Sequence, residues 1–103
     1  MDRTMLEAIC KAKAAGERAA LITIVKTLGS TPRKAGSKML IWPDGRSLGS
    51  IGGGCAEADI KRQALMALDS NQPFLHRIEM LNDVAASEGM VCGGVMDVFI
   101  SLI

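Results

Sequence analysis

Two cysteines of this chain sit in segments built mostly from glycine. One segment reads Gly49-Ser50-Ile51-Gly52-Gly53-Gly54-Cys55-Ala56-Glu57 and the other Gly89-Met90-Val91-Cys92-Gly93-Gly94. Together they hold Gly49, Gly52, Gly53, Gly54, Gly89, Gly93 and Gly94 out of 11 glycines in all. Glycine lets backbone N–H groups crowd around a ligand, because it has no Cβ and reaches positive φ freely. A thiol in such a segment is open to approach. The two segments therefore predict one pocket for an anionic ligand that tolerates or uses sulfur, assembled where the two loops meet.

The first segment runs into a helical pattern. Unpaired N–H groups and the helix dipole make that junction a seat for phosphate. A thiol there has a lowered pKa, and the thiolate is both nucleophile and soft metal ligand. The glycines match no standard nucleotide fingerprint. No Lys-Ser or Lys-Thr follows them, and Gly52-x-Gly54-x-x-Glu57 lacks the third glycine of the dinucleotide motif. A tight strand-to-helix turn would need the same glycines for its backbone alone. Arg33, after Ser30-Thr31-Pro32, has the fork that grips phosphate or carboxylate in a two-point contact, although a loop cation is also commonly just solvated. Glu57 and Asp59 fall in the first turn of the expected helix, where negative charge is favoured. Cys10 reads as a small buried hydrophobe on an amino-terminal helix. His76 and Asp97 lie in expected strands and read as structural or surface residues.

The elements that must position these groups follow from periodicity. Thr4 with Glu7 three residues on forms a capping box for a helix over 4–16, with Leu6, Ile9 and Cys10 on one face. The β-branched run within 19–27 predicts a central strand. Residues 37–42 predict a second strand, Pro43-Asp44-Gly45 a turn, and 46–51 a third strand closing a hairpin. Residues 56–68 predict an alanine-rich crossover helix with Ile60, Ala64, Leu65 and Leu68 on one side. Residues 74–80 and 95–103 predict two more strands, with 81–94 as a loop between them. In the last strand Met96, Val98, Ile100 and Leu102 face opposite to Val95, Asp97, Phe99 and Ser101. The expected fold is α/β: one domain over 1–103, with a mixed β-sheet of about four to five strands and two main helices packed on it.

Composition narrows the class. The chain has 103 residues, a net charge of +1, and three aromatic side chains, Trp42, Phe74 and Phe99. Few aromatics and no basic run argue against nucleic-acid binding. No apolar run reaches membrane-spanning length and no signal-peptide pattern opens the sequence, so a cytoplasmic location without membrane attachment is expected. Three widely spaced cysteines with one histidine predict free thiols and no structural zinc site from this chain alone.

Gly29-Ser30-Thr31-Pro32-Arg33-Lys34-Ala35-Gly36, the run from Asp44 to Glu57, and Gly89 to Gly94 followed by Val95-Met96-Asp97-Val98 together resemble the amino-terminal domain of the xanthine dehydrogenase accessory factor family, of the XdhC/CoxI type. The resemblance spans about residues 5–102. It implies a factor, not itself a catalyst, that binds and protects molybdenum cofactor (molybdopterin) and helps mature molybdenum hydroxylases such as xanthine dehydrogenase. It places Ser30, Arg33, Gly52, Gly53, Gly54, Cys55, Glu57, Cys92 and Gly93 at the cofactor site, with Cys55 and Cys92 as contacts to molybdenum or its sulfur. Many family members carry a second, Rossmann-type domain. Its absence here implies a separate Rossmann-domain subunit or a homodimer that restores the cleft. Two other readings stay open: an enzyme using Cys55 for sulfur transfer or redox chemistry, and a non-catalytic assembly subunit.

Overall fold

The computed structural model describes residues 2–29, 31, 33–51, 54–79 and 94–103. The elements are α1 (Arg3–Ala14), β1 (Ala20–Leu28), β2 (Lys38–Ile41), β3 (Ser47–Gly49), α2 (Gly54–Ser70), β4 (Phe74–Glu79) and β5 (Val95–Leu102). The strands form one five-stranded sheet in the order β3-β2-β1-β5-β4. The α/β class, the five strands and the two helices agree with the sequence reading. Every neighbouring pair is antiparallel, where a mixed sheet was expected. The crossover character of α2 survives in another form: it joins β3 and β4, which run in the same direction at opposite edges of the sheet.

Side-chain alternation sorts the core into two layers. Ala20, Ile22 and Ile24 of β1, Met39 and Ile41 of β2, Ile78 of β4, and Met96, Val98 and Ile100 of β5 point to one face. There they meet Ala56, Ile60, Ala64, Ala67 and Leu68 of α2. Three alanines on this stripe let the helix axis approach the sheet closely. On the other face Met5, Ala19 and Leu40 pack with Ile9, Leu21, Trp42 and Leu48, so α1 covers that side of the sheet near β2 and β3. The alternation expected for β5 is the one observed.

The register shifts once, between Ile24 and Lys26, where β1 pairs with β5. Ile24 stands opposite Val98, while Lys26 stands opposite Asp97. An unshifted ladder would set Lys26 against Met96 on the buried face. The bulge turns the lysine to the outer face instead, which avoids burying a charge.

Helix α1 departs from the sequence reading in its cap and its buried face. Asp2 is the N-cap, and its Oδ1 accepts the Met5 N–H at 2.7 Å. Thr4 is already inside the helix, and Glu7 pairs with Arg3 at 2.9 Å instead of closing a capping box. Aspartate ranks ahead of threonine as an N-cap, so the helix starts earlier. Met5 and Ala12 are its buried residues, while Leu6 and Cys10 are exposed. Cys10 lies five residues from Met5, about 140° around the helix, and so points to solvent.

At its far end α2 is tied to the start of β1. Asn71 takes φ 56° to end the helix. Arg18 Nη2 donates to the Leu68 carbonyl at 2.9 Å and to Asn71 Oδ1 at 2.9 Å. An arginine from outside the helix thus satisfies a carbonyl that the last turn leaves unpaired.

Candidate functional site

The residues singled out in the sequence come from three connections. Pairing register shows that all three connections leave the sheet at one end. β1 ends at Leu28 opposite Val95, the first residue of β5. β2 begins at Lys38 beside Thr23, so the connection carrying Arg33 returns from that end. β3 ends at Gly49 opposite Met39, so it too leaves the sheet at that end. β4 also finishes there, with Glu79 opposite Val95. The exit of β3 and the entry of β5 are three strand spacings apart, about 14 Å across the sheet. The sheet thus delivers the flanks of both glycine-cysteine segments to one end. Ser30, Gly52, Gly53, Cys92 and Gly93 themselves lie outside the described residues.

Arg33 is exposed. Its carbonyl accepts the Thr31 hydroxyl at 2.8 Å, which pins the local backbone. Its guanidinium has no hydrogen-bond or ion-pair partner among the described residues. The connection is anchored to β1 by backbone bonds: the Ile24 N–H donates to the Ser37 carbonyl and the Gly36 N–H to the Ile24 carbonyl. Gly36 takes φ 95°, a turn that favours glycine.

Gly54 and Cys55 are the first residues of α2, as the sequence reading required of a thiol near a helix amino terminus. Glu57 is in the first turn. The Ser50 hydroxyl donates to Glu57 Oε1 at 2.9 Å and so bridges the glycine run. Ser50 was not singled out from sequence. The available signal was its position seven residues before Glu57, on the other side of the glycine run.

Asp59 falls one turn later than expected. Its Oδ2 lies 2.8 Å from Nε2 of His76, and Arg62 Nη2 donates to its Oδ1 at 3.0 Å. The hydrogen bond from His76 is the main cause that holds the Asp59 carboxyl below its ordinary pKa, and Arg62 adds to it. His76 and Asp59 therefore clamp β4 to α2. The structural reading of His76 holds, but its partner could not be read from a one-dimensional pattern. Asp97 is ion-paired with Arg77 at 2.8 Å, and that arginine is the main cause that lowers its carboxyl pKa. Among the described residues no group of three or more His, Cys, Asp or Glu side chains could hold a metal ion. Among them, too, no helix is long and apolar enough to cross a membrane.

Comparison with known proteins agrees with this arrangement. The model of the XdhC and CoxI family matches residues 12–79. The chain is 36% identical over 97 residues to a probable xanthine dehydrogenase subunit of Bacillus subtilis, covering 92% of this chain and 28% of that protein. It is also 36% identical over 70 residues to the molybdenum cofactor insertion chaperone PaoD of Escherichia coli, covering 68% of this chain and 22% of that one. The crystal structure of a xanthine dehydrogenase from Bacillus halodurans has the same fold over 93% of this chain and 29% of its own, with a TM-score of 0.72 at 24% identity. The chain thus spans less than a third of the length of these relatives. The family match runs over 68 consecutive positions, residues 12 to 79, which is more than half of the sequence: this chain belongs to the XdhC and CoxI family.

Proposed function

We propose that this protein is an accessory factor for the maturation of molybdenum hydroxylases, and that it binds molybdenum cofactor at the end of the sheet where its two glycine-cysteine segments emerge. The observation that carries the reading is the shared end: the exits of β1, β3 and β4 and the entry of β5 all lie there. The likeness to a molybdenum cofactor insertion chaperone supports the choice of ligand. The cofactor carries a phosphate and a dithiolene that holds the metal. The amino terminus of α2 with Gly52, Gly53 and Gly54 suits the phosphate, and the exposed Arg33 guanidinium suits it as well. Cys55 and Cys92 suit the metal–sulfur end as soft ligands. Ser30 and Gly93 complete the lining, and Glu57 is the brace that Ser50 holds in place. In this reading the protein keeps the cofactor from water and passes it to a xanthine dehydrogenase-like client.

The test is retention of cofactor. Purified protein is mixed with molybdenum cofactor released from a donor enzyme, separated by gel filtration, and assayed for molybdenum and pterin. Wild type should carry both through the column, while Cys55→Ala, Cys92→Ala and Arg33→Ala should each carry less. Equal retention by all three variants would take these residues out of the site.

A further inference from the structure

The sheet has two edges of different character. β3 at one edge has only three residues, a common way to keep an edge from pairing. β4 at the other has six, with neither proline nor bulge, and nothing among the described residues pairs with its outer side. Such an edge presents a row of free N–H and C=O groups.

Charge alternates along one row of the outer face leading to that edge. Lys26 on β1 is opposite Asp97 on β5, and Asp97 is opposite Arg77 on β4. Arg77 and Asp97 are in contact at 2.8 Å, and Lys26 helps lower the Asp97 pKa. The row reads plus, minus, plus, and then stops at the edge. A fourth strand that continued it would bring a negative side chain next to Arg77.

β4 itself supplies that strand. Its sequence Arg77-Ile78-Glu79 is complementary to its own reverse. An antiparallel copy centred on Ile78 sets Arg77 opposite Glu79 of the second copy, and Glu79 opposite Arg77, by the two-fold axis. Ile78, at the rim of the α2-side core with 5% exposure, would then meet its own copy and extend the apolar layer. Other face-preserving registers are worse. Centring on Arg77 sets like charges against each other, and centring on His76 sets Arg77 opposite Leu75. Registers displaced by one residue would turn core side chains to the wrong face. Glu79 is exposed and has no hydrogen-bond partner among the described residues.

We infer that β4 is a self-association edge, and that two copies of this chain join through antiparallel β4 strands centred on Ile78 into one continuous ten-stranded sheet. The inference rests on strand order and charge, and stands whether or not the cofactor reading is right. Sedimentation equilibrium from micromolar to near-millimolar protein tests it, without cofactor. Wild type should show a monomer–dimer equilibrium that weakens with added salt. Glu79→Arg replaces two attractive cross-strand pairs with two repulsive ones, and should raise the dissociation constant at least about tenfold. Glu79→Gln, which only removes the attraction, should fall between. Glu7→Arg, an equal charge change on exposed α1, should leave the constant as in wild type. Circular dichroism confirms that each variant is folded. A wild type that stays monomeric throughout overturns the inference, and so does a Glu79→Arg dimer as tight as that of Glu7→Arg.

Discussion

Gly49 closes β3 just before the chain turns toward α2, and replacing it with alanine should be costly for two separable reasons. Its φ is 82°, a left-handed conformation that costs a residue with a Cβ about 1–2 kcal/mol. A Cβ built there would also stand 2.7 Å from the Lys38 carbonyl oxygen, 3.0 Å from Met5 Cε and 3.6 Å from Met39 Cα. The methionine methyl can swing aside. The carbonyl belongs to the strand paired with β3, so relief there requires the backbone to move, and overpacking of that kind costs about 1–3 kcal/mol more. The sum is about 2–5 kcal/mol, a large share of the stability of a domain this small. Gly45→Ala is the control. Gly45 has φ 93°, but a Cβ there meets nothing within 4 Å, so that variant carries the conformational cost alone. Urea unfolding followed by circular dichroism measures both. Gly49→Ala should be less stable than Gly45→Ala by about 1–3 kcal/mol, with unchanged urea dependence. Its melting point should fall further too, by about 4–8 °C for each kcal/mol of that difference. If the two variants lose the same stability, the close approach of the Lys38 carbonyl to Gly49 adds no cost of its own.

Other outcomes are as specific. The folded Asp59 carboxyl has a lowered pKa, so its contribution is complete above the unfolded value of about 3.9 and is lost as pH falls through the lower folded value. Acid unfolding of Asp59→Asn should therefore show a flatter stability profile across that acid window than wild type, and an unchanged profile would remove the His76 contact from the account. Ser50→Ala should cost about 1 kcal/mol in thermal or urea unfolding through loss of the Glu57 contact, with Glu57→Gln costing less because an amide oxygen still accepts the hydroxyl. Cys10 is exposed, so iodoacetamide should label it in the folded protein as fast as in a denatured control, as mass spectrometry of tryptic peptides would show. Slow labelling would restore the buried reading, and thiol chemistry at Cys55 is best followed in a Cys10→Ser background.

Most elements were legible because their signals are local. The β-branched run of β1, the Pro43-Asp44-Gly45 turn and the alternation of β5 each fix a conformation within a few residues. The turn is closed by the Trp42 N–H on the Arg46 carbonyl and the Gly45 N–H on the Trp42 carbonyl, as its composition foretold. The errors in α1 were also local in origin. Asp2 and Thr4 are both competent caps, and the choice shifts which side chains face inward. Met5 became the buried anchor and Cys10 went to solvent. At the candidate site the glycines, Cys55, Glu57 and Arg33 were legible as residue types suited to an anion. The Ser50–Glu57 brace and the His76–Asp59 clamp were not, since each depends on how a turn or a crossover brings two elements together.

The sequence by itself determined the α/β class, the approximate limits of its helices and strands, and the places of the two glycine-cysteine segments along the chain. Backbone propensity and side-chain period act over neighbouring residues, so a linear reading suffices for them. Tertiary structure alone decided that every strand pair is antiparallel, that a bulge at Val25 turns Lys26 outward, and that the flanks of both segments emerge at one end of the sheet. Those facts depend on which strands pair and in what register, and pairing is settled by the burial of two faces at once, between residues as distant as Ala20 and Leu102.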